Sequence, residues 1–287
     1  MMKRSFLSAM VVLGMAGSAH AQNSSDTLQA AFLNADSLYA VRDQGDDKGL
    51  AKTLEARAAY QGIIASGVKD ADLVRAVEGL ARTFYYQGEV ILGKSTDAEK
   101  KARKAVFNEC WKSAIEPISP AKIGVKSPVY YYFRATCLAH EAEVSSPLER
   151  LLALPTLLAT FSDGFQAPGV DTFEGGGLSR VKAAVKGNAE AKGLPGGLFN
   201  PAEALTLIDT SIASQGEPLG ELFCENFYRK AMTLVLLPGR TPEAKALATK
   251  TASDFTDYLA AGDLIPESIR AETQHCVEEV TKFGATL

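Results

Sequence analysis

Residues 146–149 read Ser146-Pro147-Leu148-Glu149, which is typical of the first turn of an α-helix. A Ser side chain there accepts a hydrogen bond from an otherwise unpaired backbone N–H. Pro fits because the N–H that it lacks would have no partner in the first turn. The same layout recurs at Ser127-Pro128, Asn200-Pro201 and Thr241-Pro242. Because apolar residues at helical spacing follow each of the four, we interpret all of them as helix starts.

Helical periodicity extends over most of the chain, whereas strand patterns are nearly absent. Thr96-Asp97-Ala98-Glu99 has the form of a capping box, and Pro266 opens the last predicted helix. The pattern gives about eleven helices of roughly 15–24 residues with mostly short connections, which means antiparallel neighbours. The sequence therefore predicts an all-α fold in which antiparallel helix pairs form an α-solenoid, as a single domain over residues 22–287.

The N-terminus has the three-part layout of a secretory signal peptide. Lys3 and Arg4 form a short basic start, residues 5–17 are apolar and uncharged, and Ala19-His20-Ala21 matches the pattern after which signal peptidase cuts. We therefore predict a signal peptide over residues 1–21 and a periplasmic mature chain. No cysteine follows the cleavage site, so no lipid anchor is expected. No later stretch is long and apolar enough to span a membrane.

The charge of the chain argues against two classes of partner. The formal net charge is −4, and it becomes more negative when Lys3 and Arg4 are removed. Apart from the short run at residues 100–104, the basic residues are dispersed along the chain. We therefore expect neither nucleic acid nor an anionic membrane surface as a partner.

The chain has four cysteines, an even number that suits disulfide pairing in an exported protein. Cys110 and Cys137 fall on consecutive antiparallel helices near their shared connection, so we predict a bridge between them. Cys224 and Cys276 lie two helices apart and form the second predicted pair. The alternative is that all four are small, buried, unpaired thiols.

Two irregular stretches, residues 163–177 and 187–200, interrupt the helical pattern and are rich in Gly and Pro. Long irregular loops in a regular array are common sites of function. Because Arg180 follows glycines that leave backbone N–H groups free, an anion could bind there. The alternative is a turn whose glycines take positive φ. The predicted ligand or partner site comprises Phe173, Gly175, Gly176, Gly177, Arg180 and Asn200.

Four aromatic residues, Tyr130-Tyr131-Tyr132-Phe133, begin another predicted helix. Successive residues are 100° apart around a helix, so at least one of these rings is expected to point away from the core. We add Tyr130, Tyr131 and Tyr132 to the predicted binding site, as a wall of a concave groove. Core packing is the alternative for these rings.

Catalytic and metal-binding patterns are weak in this sequence. The mature chain has two histidines, His140 and His275, at spacings that match no common metal site. We therefore predict no metal, no cofactor and no catalytic residues. The alternative function is a periplasmic hydrolase of cell-wall glycan or peptide, which would need two carboxylates in one cleft, such as Glu174 and Glu190.

Two segments resemble the helices of a tetratricopeptide-type repeat. Residues 80–89 resemble the first helix of such a pair, and residues 104–117 resemble the second. Small residues on the inward faces permit the close backbone approach that these pairs need. The spacing between the two segments exceeds the regular period, so the repeat is degenerate.

The chain also resembles a periplasmic family of tetratricopeptide-like proteins, the T component associated with TRAP-type transporters, over about residues 39–261. The resemblance rests on residues 84–89, 114–116, 175–180 and 200–205, and the chain differs in lacking a lipidation cysteine. It implies an all-helical, oligomerising protein that works with a substrate-binding protein in solute uptake. We therefore expect an exported, non-catalytic binding or scaffold protein, with a protein partner or a small organic ligand.

Overall fold

The structure, a computed structural model, describes residues 25–45, 47–194 and 197–287. Within these ranges it has eleven α-helices of ten or more residues and no β-strand, which confirms the predicted all-α class. The predicted signal peptide, residues 1–21, lies outside the described residues. In the part of the chain that is described, no helix is long and apolar enough to cross a membrane.

Twelve helices, one of them a single turn, follow each other through the described residues. Helix α1 covers residues 25–40. The others are α2 Leu50–Ala65, α3 Asp70–Tyr86, α4 Asp97–Glu109, the single turn α5 Pro120–Ile123, α6 Pro128–Glu143, α7 Pro147–Gly164, α8 Gly177–Lys186, α9 Pro201–Ile212, α10 Cys224–Val235, α11 Thr241–Ala261 and α12 Glu267–Thr286.

The four predicted helix starts are confirmed, since α6, α7, α9 and α11 begin at them with Pro in the first turn. Ser146 and Thr96 each form a full capping box. Asn200 accepts from the N–H of Glu203 at 3.1 Å. Ser127 differs because its side chain makes no capping bond, and α11 differs because its capping residue is Arg240.

Successive helices pack against each other, as expected of a solenoid: α2 on α3, α6 on α7, α8 on α9, α9 on α10, α10 on α11, and α11 on α12. Helix α6 lies at the centre of the first half and contacts α3, α4, α7 and α8. These contacts are between neighbours in sequence or nearly so, which is the mark of a repeat architecture.

The two ends of the solenoid meet. Arg42, just after α1, forms an ion pair with Glu272 of α12, and Tyr39 donates to the same carboxylate at 3.0 Å. Tyr86 at the end of α3 packs with Ala271 in a small apolar cluster. Helix α12 therefore crosses from the C-terminal helices to the N-terminal ones, and the superhelix encloses an interior.

The aromatic run at the start of α6 is entirely buried. Tyr130, Tyr131, Tyr132 and Phe133 are each 6% exposed or less and belong to the largest apolar cluster. The expectation that at least one ring points away from the core is therefore wrong. The reason is that α6 has helices packed around it on several sides, so more than one of its faces is a core face.

Both predicted disulfides are present. Cys110 and Cys137 have Cα atoms 6.2 Å apart and connect the end of α4 to α6, while Cys224 and Cys276 have Cα atoms 6.1 Å apart and connect α10 to α12. All four cysteines of the sequence are thus paired. Two disulfides are typical of a protein that resides in an oxidising compartment.

Candidate functional site

A small cavity lined by several charged side chains lies between α3, α6, α8, α10 and α12, and we call it the central cavity. Arg82 and Tyr85 of α3, Tyr132 of α6, Arg180 of α8 and Glu272 of α12 all contribute to its lining. Its volume is about 40 Å³. Since one water needs about 10–15 Å³ of such space, the central cavity has room for a few waters.

Two larger cavities adjoin the central cavity and share lining residues with it. The α1 cavity, with a volume of about 350 Å³, shares Arg82 and Ser268 with it. The α10 cavity, with a volume of about 290 Å³, shares Glu225 and Cys276 with it. The three cavities therefore form a row, with the smallest in the middle.

Arg180, the predicted anchor for an anion, is 4% exposed and held by the protein itself. Its guanidinium donates to the Asn226 side chain at 3.3 Å and to the Glu174 carbonyl at 3.2 Å. It also lies 3.5 Å from the Glu225 carboxylate and packs over the Phe223 ring. Arg180 lines the central cavity, but most of its hydrogen-bonding capacity is used internally.

The three glycines before Arg180 allow the chain to pack closely on itself. Gly175 and Gly176 have φ values of 54° and 74°, where a side chain would be strained. A Cβ at Gly175 would lie 2.5 Å from Phe223, and one at Gly177 would lie 2.6 Å from Tyr132. The space beside these backbones is filled by the protein's own side chains, which favours the turn over an open approach for a ligand.

The other predicted site residues are scattered. Phe173 makes an edge-on contact with Tyr132, with ring centres 5.6 Å apart, whereas Tyr130 and Tyr131 lie in the core away from the central cavity. Asn200 caps α9 and lines none of the three interior cavities. Of the nine predicted residues, the central cavity brings together two, Tyr132 and Arg180.

A set of partly buried ion pairs and hydrogen bonds lies around the central cavity, and the sequence reasoning missed it. Arg82 binds the carboxylates of both Glu78 and Glu174. Tyr85 of α3 donates to Glu225 of α10 at 2.5 Å. These contacts join residues up to 140 positions apart, so no local pattern marks them. The sequence feature that could have indicated these residues is an ionisable side chain on the apolar face of a predicted helix.

Arg103 shows that signal, since it lies four residues before the buried Phe107 on α4 and is only 1% exposed. Its guanidinium binds the Glu89 carboxylate and lies 3.3 Å from both Glu143 and the His140 ring. Glu89, His140 and Glu143 place their oxygen and nitrogen atoms within 4.8 Å of one another, as metal ligands do. Because Arg103 lies among them, this group already holds an internal cation.

Burial and charge act in opposite directions on these carboxyl groups. Burial raises the pKa of Glu174, and the Arg82 guanidinium offsets only part of that effect. Burial also acts to raise the pKa of Glu89, but the attraction of His140 and Arg103 is stronger and holds it below the ordinary value. Glu89 is thus kept ionised beside its cation.

The carboxylate pair that a hydrolase would need does not form. Glu174 faces the central cavity and is bound to Arg82. Glu190 is bound to Arg150 at the surface, where its side chain is 61% exposed, beside a separate apolar cavity along α7. The two residues line different cavities and cannot act on one bond.

Comparisons of the chain with family models, with curated proteins and with solved structures find no match. The resemblance to the T component of TRAP-type transporters therefore remains a prediction from the residues of this chain.

Proposed function

We propose that the protein is an exported, non-catalytic binding protein that holds a small polar solute inside its closed superhelix. The observation that carries this proposal is the row of three cavities along the interior. The two outer cavities approach the size of ordinary small-molecule sites, which begin at about 300 Å³.

The chemistry of the lining supports a polar solute. Glu174 and Arg180 are each no more than 5% exposed, yet both face the central cavity. Burying ion pairs costs desolvation energy, and an apolar core of the same shape is often at least as stable. Charged groups kept around an interior space are therefore better explained by recognition of polar ligand groups than by stability.

A catalytic role has less support from the same residues. The carboxylates of Glu174, Glu225 and Glu272 around the central cavity each accept a hydrogen bond from a protein side chain. All four cysteines are in disulfides, so none is a free nucleophile. The hydrolase alternative also loses its carboxylate pair, because Glu174 and Glu190 lie apart.

The location and the partners of the protein belong to the same proposal. The two disulfides suit the periplasm, to which the predicted signal peptide at residues 1–21 would direct the chain. The resemblance to the T component leads us to propose that the protein delivers or receives its solute together with a substrate-binding protein. Self-association belongs to the same proposal.

Native mass spectrometry of protein purified from periplasm tests the proposal, with calorimetry against small solutes as the second measurement. We expect a bound solute whose mass is lost when Ser268→Trp fills the α1 cavity or Met232→Trp fills the α10 cavity. Ser253→Trp on the exposed side of α11 is the matched control. The proposal fails if the wild type carries and binds no solute, or if both cavity variants bind as the control does.

A further inference from the structure

The two outer cavities differ in whether their cations are already paired. In the α1 cavity, Arg75 binds Asp36 at 2.7 Å and Arg82 binds Glu78 at 2.9 Å. Both arginines there are engaged with carboxylates of the protein. The α10 cavity has cations without such partners, and its ligand class can be argued from them.

Arg229 of α10 is the main one. It is partly buried and lines the α10 cavity, and among the described residues its guanidinium makes no hydrogen bond and no ion pair within 4 Å. Burial acts to lower its pKa, but the charges of Glu143, Glu89 and Glu225 reach it and raise the pKa above the ordinary value. A guanidinium offers five N–H donors in a planar fork that matches the two oxygens of a carboxylate or phosphate. A partly buried guanidinium that has no hydrogen-bond acceptor in the protein can donate its hydrogen bonds to a ligand.

Two lysines add to Arg229 at the rim of the cavity. Lys94 is exposed and has no ion pair with any described residue. Lys48 makes a single bond, to the Val90 carbonyl at 3.3 Å. Their ammonium groups are free to turn toward an anion in the cavity.

The carboxylates of the α10 cavity, in contrast, are engaged. Glu89 is bound by Arg103, Glu225 accepts from Tyr85, and Glu279 is paired with Lys282 at 3.0 Å. Their oxygens already have donors in the protein, whereas Arg229 and Lys94 have no hydrogen-bonded acceptor among the described residues. A negatively charged ligand group would supply one.

We infer that the α10 cavity binds the oxyanion group, carboxylate or phosphate, of a small solute, with Arg229 as its main contact and Lys94 at the rim. This inference rests on the proposed function and adds the chemical class of the ligand. Phosphate and carboxylate share the recognition chemistry, and the test separates them.

Calorimetric titration of the mature chain with acetate and with inorganic phosphate, in a buffer without competing anions, tests the inference. We expect saturable binding of at least one of them, weakened at least about tenfold by Arg229→Gln, the loss expected of a hydrogen-bonded charge. Lys94→Gln should weaken binding by a smaller factor. Lys230→Gln is the matched control, because Lys230 is the next residue on α10 and pairs with Asp209 outside the cavity.

Melting curves identify a variant that fails to fold. If Arg229→Gln does not fold, the affinity of Lys94→Gln is used instead, because Lys94 is exposed and its substitution should not affect folding. The inference is overturned if neither anion binds the wild type, or if both Arg229→Gln and Lys94→Gln bind as the control does. If native mass spectrometry finds a solute without an acidic group, whose binding is unaffected by Arg229→Gln, the proposed function stands and this inference alone fails. If no solute is found and no anion binds, both fail.

Discussion

Replacing Gly175 by Ala tests whether the glycines before α8 serve internal packing or leave room for a ligand. Gly175 has φ of 54°, and an added Cβ would lie 2.5 Å from the Phe223 ring and 2.9 Å from the Gly220 Cα atom. Gly169 in the same loop has φ of 78° and nothing within 4 Å of the added Cβ. Gly169→Ala is therefore a control that has the backbone strain but no steric overlap.

The two substitutions should differ in the free energy of unfolding by the cost of the steric overlap of the added methyl group. Backbone strain at positive φ costs about 1–2 kcal/mol and applies to both variants. Forcing a methyl group into filled space costs about 1–3 kcal/mol more, and it applies only to Gly175→Ala. The free energy of unfolding should thus fall by about 1–2 kcal/mol for Gly169→Ala and by about 2–5 kcal/mol for Gly175→Ala.

Urea unfolding followed by circular dichroism measures both values. The same samples, titrated with any solute found to bind the wild type, report whether the loop contacts the ligand. Equal losses of stability in the two variants would refute the packing role. Lost affinity in Gly175→Ala with a stability like that of Gly169→Ala would instead restore the interpretation of the glycines as a ligand-contacting loop.

Three further outcomes are expected. Arg180→Ala should lower the free energy of unfolding in urea by about 1–3 kcal/mol, because it removes the side-chain donor to the buried Glu174 carbonyl; a near-neutral effect would contradict the internal role of Arg180. Removing the Cys224–Cys276 bridge with two alanines should cost about 4 kcal/mol, given a sequence separation of 52 residues. The third outcome concerns the Glu143 carboxyl group. Burial acts to raise its pKa, but the attraction of His140 has the larger effect, so the pKa lies below the ordinary value. The unfolded chain therefore binds more protons than the folded one at acidic pH. The melting temperature should decrease as the pH is lowered past about 4, and this decrease should be less steep in Glu143→Gln.

The helical order of the chain could be predicted because its causes are local. Ser146-Pro147 and Asn200-Pro201 mark helix starts through groups within one turn of each other. The Cys110–Cys137 bridge could be predicted for a related reason, because it joins two nearly consecutive helices. Signals of this kind depend on a few neighbouring residues and not on the final shape of the molecule.

The interior could not be predicted in the same way. Arg42 and Glu272 are 230 residues apart, and their pairing depends on the sum of many small rotations between successive helices. The glycines before α8 are intermediate, because one of their properties could be predicted from the sequence and another could not. Positive φ near Gly175 was foreseeable from composition, but its close neighbour Phe223 belongs to another part of the chain.

The small size of the central cavity has a consequence for where a solute would bind. At about 40 Å³, the central cavity has room for a few waters but not for a solute of the size that the outer cavities could hold. Helix α12 is fastened covalently to α10 by Cys276 and electrostatically to the segment after α1 by Glu272. Because α12 lines both outer cavities, a solute bound in either of them would contact a helix that is tied to both halves of the chain.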